Sequence, residues 1–219
     1  MTMAADERFG RIVGGRLCLD FVNTVRGRVR RTLPRRARDY ADVIVGERLT
    51  SYDALVNWSV MVGVLTERDG AGLKREASSK PAEAHAVLAR AITLREAIYR
   101  LFKATMKGWT PQADDVSTLA GEVQEARAHE RLTASPRFHW EWDPRRDALD
   151  RLLWPVVRSA EELLTGPEVA RVGQCPGDGC GWLFLDTSRS RRRQWCHMGD
   201  CGTLAKVRRF RQKRREVRV

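Results

Sequence analysis

Four of the five cysteines form two close pairs near the end of the chain. Cys175 and Cys180 are separated by four residues, as are Cys196 and Cys201, and fifteen residues lie between the pairs. Thiolates at such spacing are typical zinc ligands, and four of them complete a tetrahedral shell without an exchangeable water. The spacing therefore predicts one structural zinc ion.

Other chemistries for these cysteines remain open at this stage. Disulfides are disfavoured in a chain that we expect to be cytoplasmic, and iron–sulfur clusters more often use tighter spacing. His197 could in principle replace a thiolate, but adjacent residues rarely both reach one metal, so we expect an exposed histidine. Cys18 lies in the apolar stretch GRLCLDFVNT and is interpreted as a small buried hydrophobic residue.

Short elements must position the predicted ligands. The segment WLFLD at 182–186 favours one strand of a hairpin, and Trp182, Phe184 and Trp195 are expected to form a small core beside the metal. After Cys201, the pattern predicts a helix with apolar residues at a spacing of three, namely Leu204, Val207 and Phe210.

Most of the net charge of +12 lies in the tail, because residues 186–219 hold 12 of the 40 basic residues but only 3 of the 28 acidic ones. Such a concentration favours binding to nucleic-acid phosphates. The candidate contacts are Arg191, Arg192, Arg193, Lys206, Arg208, Arg209, Arg211, Lys213, Arg214 and Arg215.

This C-terminal pattern resembles the CGNR-type zinc finger. The positions that match it are Cys175, Cys180, Gly181, Phe184, Asp186, Ser188, Arg193, Trp195, Cys196, Met198, Cys201, Gly202 and Lys206. Thr203 and Leu204 stand where the family has the Asn and Arg of its name. If those two residues contact DNA in relatives, the target sequence of this chain is expected to differ.

The segment GRLCLDFVNTV at 15–25 resembles the opening of the ABATE domain, which precedes this finger in the same family of stress-related transcription regulators. LVNW, LREAIYRLF and WPVVRSAEELL also resemble that domain. The resemblance implies a regulatory or sensor domain over 1–170 and a finger with a basic helix over 171–219.

The residues of the front part predict an α+β class in which helices dominate. Apolar spacing predicts helices over 81–106 and 52–64, another from Thr110 to about 128, and a last one over 145–165 that Pro155 should bend. The alternation in 138–142 predicts a half-buried strand, and RIVGGRLCLDF at 11–21 predicts a strand or hairpin.

Two further features of the front part are candidates for binding. Asp20 and Asn23 are polar residues in an apolar stretch, so they either line a small-molecule pocket or satisfy caps and backbone groups. The segment 26–38 contains seven arginines, which we interpret as a surface loop that contacts phosphates or is merely solvated.

The sequence disfavours catalysis, because it contains no H-E-x-x-H, G-x-S-x-G or Walker motif. It also contains no apolar run long enough for a membrane span and no signal peptide, so we expect a cytoplasmic protein without a membrane partner. The leading hypothesis is a transcription regulator whose finger binds double-stranded DNA, with a front domain that senses a small-molecule effector or mediates homodimerisation. The alternatives are an RNA-binding protein that stacks bases on exposed Trp182 or Trp195, and a protein-binding adaptor.

Overall fold

The computed structural model describes Phe9 and residues 11–32, 40–142 and 148–216. Within these residues it confirms an α+β class in which helices dominate. The helices are α1 (Leu17–Val22), α2 (Tyr52–Met61), α3 (Glu67–Ser79), α4 (Pro81–Lys107), α5 (Ala113–Ala128), α6 (Trp154–Thr165) and α7 (Thr203–Glu216). The strands form three antiparallel pairs, β1 (Val25–Thr32) with β2 (Tyr40–Glu47), β3 (Glu130–Ala134) with β4 (Phe138–Trp142), and β5 (Val172–Gln174) with β6 (Leu183–Leu185).

The long helix α4 organises the front part of the chain. Pro81 lies in its first turn, where the missing N–H costs no hydrogen bond. Gly108 ends it in the left-handed conformation at φ 64°, which glycine adopts without steric penalty. Its apolar face, with Leu94, Ile98 and Phe102 fully buried, packs against α1, α2, α3 and α5. The helix predicted over 81–106 is therefore confirmed.

Strands β5 and β6 belong to the same hydrophobic core as the helices. Val172, Leu183 and Leu185 are buried together with residues of α1 and α6. Strand β6 was predicted from its apolar run, and it pairs with the segment that directly precedes Cys175. The first strands of the finger therefore pack into the core of the front part. The division into two domains at residue 170 stays a prediction.

Two helices begin or end differently from their predicted bounds. Helix α2 starts after Ser51, whose hydroxyl accepts from the backbone N–H of Ala54, but it ends at Met61 rather than at 64. Helix α5 begins at Ala113 rather than at Thr110, and its N-cap residue Gln112 makes no side-chain capping bond. Element ends are set by local hydrogen bonds that apolar spacing does not reveal.

The strand or hairpin predicted over 11–21 is wrong, because Leu17–Val22 is helix α1. This segment is buried between α4 and α6, and a short apolar run that is buried on all sides has no periodicity that distinguishes a strand from a helix.

The bend predicted at Pro155 is also wrong. Helix α6 begins at Trp154, so Pro155 lies in its first turn, where proline is compatible with a straight helix. Residues 145–147 of the predicted helix lie outside the described part.

The described part of the arginine-rich segment, residues 26–32, lies in strand β1 of a β-hairpin rather than in a surface loop. Strands β1 and β2 pair in register from Val25 with Glu47 to Thr32 with Tyr40, and residues 33–39 between them lie outside the described part. Arg28 is buried, so this arginine is part of the fold. The many arginines in this segment obscured the two-residue alternation that is typical of a strand.

Strand β4 is confirmed as a strand, but it is not half-buried as predicted, since Phe138 and Trp140 are 78% and 54% exposed.

No helix among the described residues is sufficiently long and apolar to cross a membrane.

Candidate metal centre and nucleic-acid interface

The four cysteines of the predicted site come together at one point. Cys175 follows β5 directly, and its backbone N–H donates to the Trp182 carbonyl at 2.8 Å, closing the first loop. Cys180 lies at the end of that loop, where its N–H donates to Gly177 at 2.9 Å. Cys196 and Cys201 come from the second loop, and Cys201 lies within a π-turn (Met198–Gly202) that leads directly into α7.

The distances among the sulfurs fit one zinc ion. All four Sγ atoms lie within 4.8 Å of one another, with Cys180 and Cys196 at 3.6 Å and Cys196 and Cys201 at 3.7 Å. A tetrahedral zinc with Zn–S bonds of about 2.3 Å requires sulfur separations of about 3.8 Å. The cluster therefore holds one structural zinc ion and offers no open coordination position.

The first loop depends on close backbone approach. A Cβ at Gly177 would lie 2.9 Å from the Cys201 sulfur, so any larger residue there would push a ligand away. Gly179 lies between the two cysteines of the pair and Gly181 directly follows Cys180, and the positive φ of both lets the chain reverse around Cys180. The glycines of CPGDGC are thus required by the path of the loop.

An aromatic cluster supports the metal centre, as predicted. Phe184 is buried with Cys175 and Cys196, and Trp182 and Trp195 pack beside them while remaining half-buried. The Trp182 indole N–H donates to the Val25 carbonyl at 3.0 Å, so this ring also joins the finger to strand β1.

Arg193 has a structural position. Its guanidinium donates to the carbonyls of Leu185, Val13, Trp195 and Cys196 and lies 4.5 Å from the centre of the Phe184 ring. Asp186 accepts from Ser188 and from the Arg193 backbone N–H, and the Ser188 hydrogen bond in particular lowers the pKa of this carboxyl. The loop between the two cysteine pairs is therefore held by its own charged residues.

His197 and Cys18 lie apart from the cluster of sulfur ligands. The half-exposed His197 ring has Nδ1 3.0 Å from an Asp200 carboxylate oxygen and Nε2 3.3 Å from Arg11. Cys18 is fully buried in the front core, and its thiol lies 3.5 Å from the Ser159 carbonyl. Burial raises the pKa of Cys18 to about 12, which keeps it protonated.

The basic helix α7 projects from the metal centre with its charges in solvent. Arg191 and Arg192 in the preceding loop are exposed as well. Arg208 pairs with Asp178 of the first cysteine loop at 3.1 Å. The exposed cations of the helix are Lys206, Arg208, Arg209, Arg211, Lys213 and Arg214, while the Arg215 side chain lies outside the described part.

Asp20 and Asn23 have backbone partners, and neither lines the cleft described below. The Asp20 carboxylate accepts from the N–H groups of Val13 and Gly14 at 3.0 and 2.7 Å. The Asn23 amide makes two hydrogen bonds with the backbone of Leu183. Of the two interpretations of these residues, the structure supports the satisfaction of backbone groups.

A buried ionic network beneath the finger was not predicted from the sequence. The Arg28 guanidinium, 1% exposed, pairs with Glu96 at 2.6 Å, and the fully buried Arg95 side chain bridges Glu96 and Glu47 at 2.9 and 2.6 Å. Burial alone would raise the pKa of Glu96, but the Arg28 and Arg95 guanidinium groups lower it overall. The backbone N–H of Arg28 donates to the Cys180 carbonyl at 3.0 Å, so a residue of this network also holds the first cysteine loop. In the sequence, these residues are indistinguishable from solvated charges.

Together, the four-cysteine centre and its hairpin define a zinc-finger protein with a helical front part. Comparison with family models agrees with this description. The ABATE model, described as "Putative stress-induced transcription regulator", matches residues 15–167, and the CGNR zinc finger model matches residues 171–214. The chain therefore belongs to the ABATE family and carries a CGNR zinc finger, which confirms the resemblance seen in the sequence. No curated protein matches the chain.

Proposed function

We propose that this protein is a non-enzymatic transcription regulator that binds double-stranded DNA through α7. The observation that carries the proposal is the set of six exposed cations on a helix that starts two residues after a zinc ligand. The metal fixes the start of the helix, and the cations neutralise phosphates while releasing counterions. The family description as a regulator agrees with this proposal.

Sequence reading would come from the first turns of α7, which are the nearest to the metal. An arginine there can donate two hydrogen bonds to the edge of a guanine in the major groove. Arg208, Arg209 and Arg211 are the residues we assign to this role, and the contact of Arg208 with Asp178 holds it close to the first cysteine loop. Arg193 is left out of the interface because carbonyl groups occupy its guanidinium.

The departure from the family motif changes this same end of the helix. Thr203 uses its hydroxyl to donate to the Met198 carbonyl at 3.1 Å, so it closes the π-turn locally. Leu204 is 59% exposed on the same apolar face as Val207 and Phe210. An exposed leucine can contact a thymine methyl group but cannot donate to a base. We therefore expect a base preference unlike that of relatives with Asn and Arg here.

The test is selection from random duplex DNA by the zinc-loaded protein at near-physiological salt. The expected result is one enriched motif, with binding to it lost when Arg208, Arg209 and Arg211 are changed to Ala. A matched control changes three exposed arginines distant from the finger, Arg68, Arg75 and Arg137, and removes the same charge. Equal losses in both variants would show a general charge effect and contradict the assigned contacts.

The salt dependence of affinity tests the mechanism separately. Each lost phosphate contact should reduce the slope of log K against log salt by about 0.9 for duplex DNA. The same measurement with Arg30, Arg31, Arg35 and Arg36 changed to Gln tests the β1–β2 hairpin and its connection as an auxiliary contact. An unchanged slope would exclude that contact.

RNA remains the second candidate because neither Trp182 nor Trp195 is fully buried. Aromatic rings beside cations suit the stacking of unpaired bases. A single-stranded RNA competitor in the selection separates the two functions, since preference for the RNA would reject the duplex proposal. Binding of neither nucleic acid at physiological salt would favour a protein-binding adaptor. Effector sensing, homodimerisation and a cytoplasmic location complete the proposal as further expectations.

A further inference from the structure

A second cationic site lies between the zinc loops and the base of the β1–β2 hairpin. It is a cleft of about 510 Å³. Its lining includes Cys180 and Cys201 from the zinc loops, together with Arg26, Arg48 and Trp182. Its volume falls within the range of roughly 300–1,000 Å³ that is typical of small-molecule sites. None of the residues assigned to DNA on α7 lines this cleft.

Two of the three arginines that line this cleft lack a carboxylate partner among the described residues, the third being Arg11. Within the described part of the chain, neither Arg26 nor Arg48 forms an ion pair, although Arg28 and Arg95 nearby are fully paired. The Nε atom of Arg48 is shielded from solvent and has no hydrogen-bond partner among the described residues. Burial lowers the pKa of Arg48, and repulsion from Arg26 lowers it further. A half-buried guanidinium whose Nε has no acceptor points to a missing anion.

The acidic residues on the rim do not supply that anion. Asp178 pairs with Arg208 at 3.1 Å. Asp200 lies 3.0 Å from His197 and 3.6 Å from Arg11. Both carboxylates are thus paired with other groups. Among the described residues, neither of them neutralises the positive charge of Arg26 and Arg48.

The site is also held in place. The Arg26 side chain lies across Gly46, where a Cβ would come within 2.7 Å of the Arg26 Cδ atom. The Arg48 guanidinium donates to the Phe9 carbonyl and lies 5.4 Å from the centre of the Trp182 ring. Trp182 is anchored in turn by its bond to Val25. A cation pair held beside an aromatic ring combines a phosphate contact with a stacking surface.

We propose that this cleft binds a nucleotide, with its phosphate on Arg26 and Arg48 and its base against Trp182. The nucleotide can be free or can be an unpaired residue of a nucleic-acid strand, since both present a phosphate and a planar base. The inference goes beyond duplex binding by α7 and does not require it.

A competing explanation for the arginines is the charge of the metal centre. Four thiolates around a divalent ion carry an excess of about two negative charges, which cations at the cleft wall would offset. That explanation predicts an effect of Arg26 and Arg48 on zinc affinity and none on nucleotides. The two explanations therefore differ in a measurable way.

The experiment titrates the zinc-loaded full chain with AMP, with adenosine and with inorganic phosphate by calorimetry, and with a short single-stranded oligonucleotide by anisotropy. AMP should bind more tightly than either of its parts. Arg26→Gln, Arg48→Gln and the double variant should each weaken AMP binding, the double variant by about tenfold or more, because charge-assisted bonds to phosphate are lost. Arg68→Gln with Arg75→Gln is the matched control and should change nothing. Trp182→Phe should weaken AMP more than phosphate.

The outcomes separate this inference from the proposed function. The same losses for the oligonucleotide would identify a strand as a source of the nucleotide, and losses for AMP alone would identify a free nucleotide. The inference is overturned if neither AMP nor the oligonucleotide binds, if the control pair causes equal losses, or if the double variant loses zinc to a chelator more readily while it still binds AMP. Because Arg26 is exposed, its single variant keeps the test valid should Arg48→Gln unfold the chain. Duplex binding that persists without nucleotide binding would leave only the proposed function standing, and the reverse would leave only this inference.

Discussion

The side-chain amide of Asn23 pairs with the backbone of Leu183 as a neighbouring strand would. Its Nδ2 donates to the Leu183 carbonyl at 2.8 Å, and its Oδ1 accepts from the Leu183 N–H at 2.9 Å. These bonds join the end of α1 to strand β6, 160 residues later. Asn23→Ala would leave both buried backbone groups of Leu183 without partners, so we expect a loss of about 2–4 kcal/mol in the free energy of unfolding. Denaturant unfolding of the zinc-loaded protein measures it.

Asn57→Ala is the control for that prediction. Asn57 is half-buried and accepts one hydrogen bond, from Lys74, so its loss should cost about 1 kcal/mol or less. Similar costs for the two variants would show that the Asn23 bonds are not special. Asn23→Asp should also be destabilising, because a carboxylate cannot donate to the Leu183 carbonyl.

Arg95 should be the most costly arginine to remove. Its side chain is fully buried between Glu47 and Glu96, and Arg95→Met would leave two partly buried carboxylates with one fewer cation. We expect a loss of about 3 kcal/mol or more in unfolding free energy. Arg131→Met removes an exposed pair with Glu141 and should cost less than about 1 kcal/mol. Equal effects in the two variants would contradict a supporting role for the buried network.

Zinc should be stoichiometric and should depend on the four cysteines only. Cys196→Ser removes a buried ligand, so we expect loss of tightly bound zinc and faster hydrogen exchange over 175–202, because the loops have little core apart from the metal. Cys18→Ala and His197→Ala should each retain one zinc per chain by metal analysis. Loss of zinc in His197→Ala would show a ligand set different from the four thiols.

The finger could be predicted from the sequence because its chemistry is local. Ligand spacing, the glycines between Cys175 and Cys180, and the aromatic residues around Cys196 all lie within one short segment. Helix α4 was equally accessible, since many apolar residues recur with its period and Gly108 marks its end. In such cases the sequence itself carries the constraint.

Contacts between distant segments could not be predicted in this way. Arg28 reads as one of seven arginines in a charge run, and only the fold buries it beside Glu96. Asn23 reads as a helix cap or pocket residue, and its partner Leu183 is known only once β6 is placed. The cleft around Arg26 and Arg48 likewise combines segments that are far apart in sequence. Tertiary packing decides which polar residues become structural and which stay available for binding.

Asp20 should make stability depend on pH in a direction unusual for an aspartate. Burial raises its pKa to about 6 from an ordinary value of 3.8, despite the hydrogen bonds from Gly14 and Val13. The folded state therefore holds a proton more strongly than the unfolded state, so the contribution of Asp20 is favourable at low pH and is lost as pH rises through about 6. Asp20→Asn keeps an oxygen that can accept from Val13 and Gly14 but cannot ionise. The stability of Asp20→Asn relative to the original protein should thus increase by about 1 kcal/mol between pH 5 and pH 7.5. Taking the difference between the two proteins at each pH cancels the loss of zinc that acid causes in both, and a difference that is constant over this range would show that Asp20 titrates normally.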